Sequence, residues 1–285
     1  MLHNLVVPVD LTDTGKKALE VAVKISKEFN SKVWIITVLE KPNIPFLQDL
    51  PEEERNAILS LNEKLKSKAI ETLESYKEYL KTQDVDTEYK ILEGDTVESI
   101  LDFCETIAPD LIIMPSHRKS DIELQAIGSV SLRVASKSKY PVLVIKGSSL
   151  NFNKIAVAYD FLPSSQEALE FTLSLSKHFG SKIVVIHADN DRNYSHLKSV
   201  LEKVRQHKIE KLQQLKNLYE NIEVYLTEGS PDKVIIEKAV KENADLIVVG
   251  KRQSKEEKRT FIGSTSYKIL KDSPISVLIY RGNHE

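Results

Sequence analysis

A strand ending in glycine, a charged loop and a second glycine opening a helix can together hold an anion. The stretch "DLIVVGKRQSKEEKRTFIGSTS" at residues 245–266 has that form. The first glycine makes room beside the strand end, and the last, with its hydroxyl-bearing neighbours, begins a helix whose free amides attract negative charge. The chain carries the stretch twice. "DLIIMPSHRKSDIELQAIGSVS" at 110–131 keeps the register but has Pro115 in place of the first glycine. Proline has no amide hydrogen to donate, and its ring fills space beside the strand end. In the loop of the second copy, Lys251, Arg252 and Lys258 suggest a phosphate clamp. Glu256 and Glu257 dilute that charge, so most of the loop reads as a solvated segment and Arg252 alone is singled out as a ligand contact.

Two aspartates, Asp10 and Asp160, each close a strand-like run. Either they cap the helices that come next or they support a magnesium ion through oxygen ligation. After Asp160, in "FLPSSQEAL", Ser164 or Ser165 is able to cap the helix, which frees the carboxylate for another role. His187, His196 and His207, with "HADND" at 187–191, match no strong metal-ligand spacing; a strand-end histidine at a pocket rim is the better reading, and no metal site is expected. No G-x-S-x-G elbow, P-loop lysine or recognisable carboxylate pair supports nucleophilic catalysis. The single cysteine, Cys104 in "ESILDFCETIA", excludes a disulfide framework and reads as a small buried hydrophobe.

Short apolar, β-branched runs alternate with helix-period segments in one order, twice. "NLVVPVD", "KVWIITVL", "TEYKILEG", "DLIIM" and "PVLVI" are separated by helices near 13–29, 52–82, 96–107 and 127–138. "KIAVAYD", "KIVVIH", "IEVYLTEG", "DLIVVG" and "SVLIY" are separated by helices near 164–179, 195–219, 231–242 and 263–272. Strands apolar at nearly every position are buried on both faces, as in a parallel sheet flanked by helices. The longest helix repeats Ile58, Leu61, Leu65, Ala69, Leu73, Tyr76 and Leu80 at steps of three or four, a stripe expected to lie on a sheet. The fold class is therefore α/β: two tandem, doubly wound, five-stranded parallel sheets, which bind ligands beyond the carboxyl ends of their strands.

Subtraction aligns the copies. Asp10 and Asp160 differ by 150, whereas Gly94 and Gly229, Asp110 and Asp245, and Gly128 and Gly263 differ by 135. The first copy therefore holds about fifteen extra residues, and the proline-marked "KPNIPFLQDLPEEE" after its second strand is the place for them. "KGSSLNFN" at 146–153 links domains expected at 1–147 and 152–282. A net charge of −2 gives no pull toward nucleic acid or anionic membrane. No stretch approaches the roughly 18 apolar residues of a membrane span, and the chain reads as cytoplasmic.

The repeated "D-L-I-x-x" strand, its spacing to "G-S-x-S" and the "P-V-L-V-I" final strand resemble the universal stress protein family in a tandem two-domain form, over essentially the whole chain. The resemblance implies an adenine-nucleotide-hydrolase-like sheet with strand order 3-2-1-4-5. It also implies, in nucleotide-binding members, a glycine, two residues, a second glycine, nine residues and then glycine with serine or threonine. A first-strand aspartate lies near the nucleotide, and the second strand's end lines the adenine pocket. Carried onto the second copy, the pattern falls on Asp160, Gly250, Gly263, Ser264, Thr265 and Ser266, with Gln253 at the second glycine. The first copy keeps Asp10, Gly128, Ser129 and Ser131 but has Pro115 and Arg118 at the two earlier glycines, with His117 beside them. Two roles stand for Arg118, phosphate contact or occlusion of the pocket, and occlusion is favoured.

On this resemblance the chain is expected to be a stress-response protein whose second domain holds ATP or a related adenine nucleotide, with magnesium, as a regulatory ligand. Pairing of the two domains through their last strands, a homodimer and a signalling partner of unknown identity are implied in the same way. The rival reading is a nucleotide-free scaffold. An enzyme on the same fold is a weaker third.

Overall fold

The computed structural model describes residues 2–11, 15–40, 47–116, 127–147, 150–189, 198–251 and 262–282. Contacts divide the chain into two compact units, residues 1–115 and 116–285.

In the first unit, β1 (Asn4–Pro8), β2 (Lys32–Leu39), β3 (Thr87–Glu93) and β4 (Leu111–Pro115) form a parallel sheet in the order β3-β2-β1-β4. The strands β1 and β4 are almost wholly buried, as continuous Val, Ile and Leu runs require. They are joined by α1 (Gly15–Phe29), α2 (Glu52–Thr82) and α3 (Thr96–Ile107). Asp95 caps α3 by accepting from the amides of Val97 and Glu98, both at 3.0 Å.

One sequence expectation holds for only half of a helix. In α2, Ala69, Leu73, Tyr76 and Leu80 are buried, but Leu61 is 57% and Leu65 43% exposed. The reason is length. A helix of 31 residues runs about 46 Å, while the seven-residue strand β3 extends about 23 Å. The N-terminal half of α2 therefore projects past the strand. The extra residues of the first copy enter this helix through a 3-10 turn, Leu47–Asp49; positions 41–46 lie outside the described residues.

The second unit contains α4 (Ser129–Lys137), β5 (Val142–Ile145), β6 (Lys154–Ala158), α5 (Pro163–Phe179), β7 (Lys182–Asp189), α6 (Lys198–Leu218), β8 (Ile222–Glu228), α7 (Pro231–Lys241), β9 (Leu246–Gly250), α8 (Ser264–Asp272) and β10 (Ser276–Tyr280). Parallel pairing runs β8-β7-β6-β9-β10, which is the order 3-2-1-4-5. Beyond β10 lies β5, antiparallel, with Val144 opposite Val277 and Val142 opposite Ile279. That pairing removes an open edge from β10. It also brings α4 and β5, which belong to the first sequence copy, into the second contact unit.

The repeated aspartate of the "DLI" strand has a structural task in both units. Asp110 accepts from the amides of His3 at 2.6 Å and Asn4 at 2.9 Å, and Asp245 accepts from Asn153 at 2.9 Å. Each ties the start of a fourth strand to the start of the first. Cys104 is buried, and burial pushes its thiol up to about 12, which keeps it protonated and inert.

Candidate functional site

The carboxyl ends of β6, β7 and β9 in the second unit, with the turn into α8, surround a cavity of about 320 Å³. It lies where a doubly wound sheet reverses its winding, between β6 and β9. Of the residues expected at the site, Asp160, Gly250, Gly263, Ser264, Thr265 and Ser266 all line it. Arg252, the seventh, lies outside the described residues, as do Gln253, Lys258, His117, Arg118 and His196.

Helix α8 starts at Gly263, which sits at φ −63° and ψ 153° and has no side chain to cap the first turn. The first intrahelical bond there is from the Tyr267 amide to the Gly263 carbonyl at 2.8 Å. Helix geometry leaves the amides of Ser264, Thr265 and Ser266 without intrahelical acceptors, and they are the positive end of the helix dipole. A Cβ built on Gly263 meets nothing within 4 Å among the described residues. Neither its backbone angles nor packing among the described residues asks for glycine at this position.

Gly250 is different. A Cβ there would stand 2.2 Å from the Ser164 carbonyl oxygen and 3.0 Å from the Ser165 nitrogen. The glycine lets the first turn of α5 press against the end of β9, so it has a packing reason as well as any ligand-binding one. At the corresponding position of the first unit, Pro115 is buried at the end of β4.

Asp160 is exposed at the mouth of the cavity. Its Oδ1 accepts from the Leu162 amide at 3.1 Å, and its own amide donates to Ser165 Oγ at 3.2 Å. The expectation that Ser164 or Ser165 would cap α5 is corrected. Leu162 is the N-cap residue, Pro163 occupies the first turn, and Ser165 lies inside the helix with its hydroxyl donating back to Leu162 O at 2.9 Å. The carboxylate of Asp160 thus takes part in the turn it precedes.

His187, on β7, is 7% exposed and lines the opposite wall. Its Nδ1 lies 2.7 Å from the Tyr159 carbonyl, and its ring packs 4.7 Å from that of Phe161. Burial holds its pKa below the ordinary histidine value, so the ring is neutral at pH 7. Among the described residues, no group of three or more His, Cys, Asp or Glu side chains could hold a metal ion.

Three buried cations escaped the sequence reading. Lys146, 6% exposed, donates to the carbonyls of Leu270 at 2.6 Å and Ser273 at 2.8 Å, at the C-terminus of α8. Arg281 and Lys251, each 5% exposed, donate to the Ser136 carbonyl at 2.9 and 3.1 Å, at the C-terminus of α4. Lys251 is therefore neither a solvated loop residue nor a phosphate clamp. Burial, with Arg281 beside it, lowers its pKa to about 7, while burial alone accounts for Arg281 at about 9 and, against the pull of Asp272, for Lys146 at about 8. Cations placed just after β5 and β10 complement the negative ends of the two helices whose N-termini carry the repeated glycine. The only sequence signal is a basic residue after each last strand, and such residues are usually solvent-exposed.

Comparison with known proteins bears on the family and the fold. The sequence profile of the universal stress protein family matches residues 1–146 and 151–281. A universal stress protein of Methanocaldococcus jannaschii is 34% identical over 146 residues, which cover 51% of this chain and 83% of that protein. The stress response protein NhaX of Bacillus subtilis is 25% identical over 166 residues, covering 51% of this chain and all of that one. The crystal structure of a universal stress protein from Archaeoglobus fulgidus superposes with a TM-score of 0.75 at 23% identity, over 99% of both chains, and shows that the fold is shared along the full length.

Proposed function

The chain belongs to the universal stress protein family over both of its repeats, and from that premise we propose that its second domain, residues 152–282, binds ATP or a related adenine nucleotide as a regulatory ligand. The observation that carries the reading is the start of α8, which opens on a 320 Å³ cavity with a glycine as its N-cap residue, where among the described residues a Cβ would meet nothing within 4 Å. A polyphosphate fits that chemistry, because the amides of Ser264 to Ser266 point charge-complementary donors at it and the absent Cβ lets it come close. Serine and threonine hydroxyls add further donors. Asp160 is placed at the same mouth to support a magnesium ion held by the phosphates, which would supply charge neutralisation. Arg252, next along the chain from Lys251, completes the proposed contacts.

The first domain, residues 1–147, is proposed as a copy without a working site, since Pro115 fills the position of Gly250. The nucleotide is proposed to act by occupancy, not turnover. A cytoplasmic location, a homodimer and a signalling partner belong to the same proposal, with the antiparallel pairing of β5 and β10 as the feature that joins the repeats within one chain.

A scaffold without nucleotide is favoured by one observation, that Gly250 is explained by Ser164 alone. Calorimetric titration of the full chain with ATP and magnesium separates the two. Saturable binding that Gly263→Val weakens at least tenfold supports the nucleotide reading, whereas no saturable heat with the wild type leaves the scaffold. Phosphate release above a no-protein control would instead point to an enzyme.

A further inference from the structure

The projecting half of α2 carries an apolar face that its own sheet leaves uncovered. Ile58, Leu61 and Leu65 continue the stripe whose other end is buried on the sheet, yet Ile58 is only partly buried, Leu61 is 57% exposed and Leu65 is 43% exposed. Leaving such side chains in water forgoes the free energy of their burial, and a second apolar surface laid on them recovers it.

Charge is arranged about this face with its own symmetry. Glu54, in the acidic first turn of the helix, stands seven residues before Leu61, and Lys68 stands seven residues after it; both are exposed. Seven residues are close to two helical turns, so the three side chains lie nearly in one line along the helix, acid at one end and base at the other. A second copy of the helix, run antiparallel with Leu61 on the two-fold axis, presents the complement of that line. Glu54 then faces the second copy's Lys68, Lys68 faces its Glu54, and Ile58 lies against its Leu65. A parallel copy would set Glu54 against Glu54 and Lys68 against Lys68. A two-fold contact needs a surface complementary to itself, and only the antiparallel arrangement makes this one so.

The corresponding helix of the second unit lacks the pattern. Helix α6 also exposes apolar side chains, Val200 at 51% and Val204 at 42%, but its first turn has no acidic residue to set against a base.

We propose that the N-terminal half of α2, residues 52–68, is a self-association surface on which two copies of this chain pair antiparallel across Leu61. This surface rests on the homodimer of the proposed function and gives it a location; nucleotide binding plays no part in it. Residues 52–68 make about 25 Å of helix, a contact at the small end of specific interfaces, so the dimer is weak and depends on concentration.

Sedimentation equilibrium of the full chain, at roughly micromolar to millimolar concentration, measures the association. Wild type should dimerise reversibly. Leu61→Lys brings two ammonium groups together at the axis and should weaken the dimer roughly tenfold or more. Glu54→Lys and Lys68→Glu each set like charges face to face and should weaken it severalfold, whereas the two reversals combined in one chain restore the pairing and most of the affinity. All three sites are exposed, so the thermal midpoint of each variant should stay close to that of wild type, which separates lost association from unfolding. A dimer indifferent to Leu61→Lys, or a double reversal no tighter than the single ones, overturns the surface and leaves the homodimer standing. Wild type that stays monomeric throughout overturns both, and leaves the face to a segment of its own chain or to another protein.

Discussion

Two glycines at one cavity answer to different causes, and substitution separates them. At Gly250 a methyl group would meet the Ser164 carbonyl at 2.2 Å, a backbone contact that cannot rotate away. Gly250→Ala is therefore expected to cost about 1–3 kcal/mol of stability through overpacking, read as a lower urea midpoint with an unchanged slope. At Gly263 the same methyl meets open space among the described residues. Gly263→Val should move the thermal midpoint by only a few degrees, as expected for loss of a favourable N-cap residue worth about 1 kcal/mol, yet weaken ATP binding at least tenfold. The repeated glycines and the hydroxyl-bearing helix start were visible in the sequence, while the assignment of Asp160, Gly250 and Gly263 to Ser266 as one site came from the family resemblance. What spacing could not show was why each glycine is there, since only the placement of α5 against β9 distinguishes packing from ligand approach. His187 was visible in the same way as a strand-end histidine, but its contact with the Tyr159 carbonyl, 28 residues away, was not.

At the scale of elements, α8 is held at both ends by different physics. Its N-cap residue at the cavity is a glycine with no side chain to cap the first turn, and its C-terminus is closed by the buried ammonium of Lys146. Lys146→Met leaves the Leu270 and Ser273 carbonyls unpaired, so it should cost about 1–3 kcal/mol and lower amide-exchange protection across residues 264–272 before other helices open. The cations also set a pH dependence. Lys251 has a folded pKa of about 7 against an ordinary value of 10.5. Between those values the unfolded chain holds a proton that the folded chain does not, so stability rises as pH rises from about 7 toward 10; below pH 7 both states are protonated and this contribution is constant. Lys146, lowered to about 8, acts in the same direction over a narrower window. Urea unfolding at pH 7 and pH 9 should show wild type gaining on the order of 1–2 kcal/mol from the Lys251 contribution, and Lys251→Met should lose most of that gain. A decline in wild-type stability over that interval, unchanged in the variant, would contradict the assignment. These clamps were hidden in the sequence because a lysine after a strand reads as solvated, and only the tertiary approach of α4 and α8 supplies carbonyls for it. The stripe in α2 failed for the converse reason: periodicity shows which face is apolar, as at Leu61 and Leu65, but not how far the strand beneath continues.

For the whole molecule, the alternation of apolar runs and helical segments was sufficient to read two α/β repeats, because parallel strands buried on both faces leave a continuous apolar signature. The chain's place in the universal stress protein family rests on both repeats, yet the proposed function gives them unequal parts. Pro115 against Gly250 is the asymmetry. It predicts one nucleotide per chain, bound by the second repeat, with the cognate helix start at Gly128 playing no part. The direct measurement is the stoichiometry of ATP with magnesium by calorimetry on wild type, Gly263→Val and Gly128→Val. The account predicts one saturable site per chain, kept in Gly128→Val and lost or weakened at least tenfold in Gly263→Val. Two equivalent sites, a site abolished by Gly128→Val, or no saturable binding by wild type would contradict it.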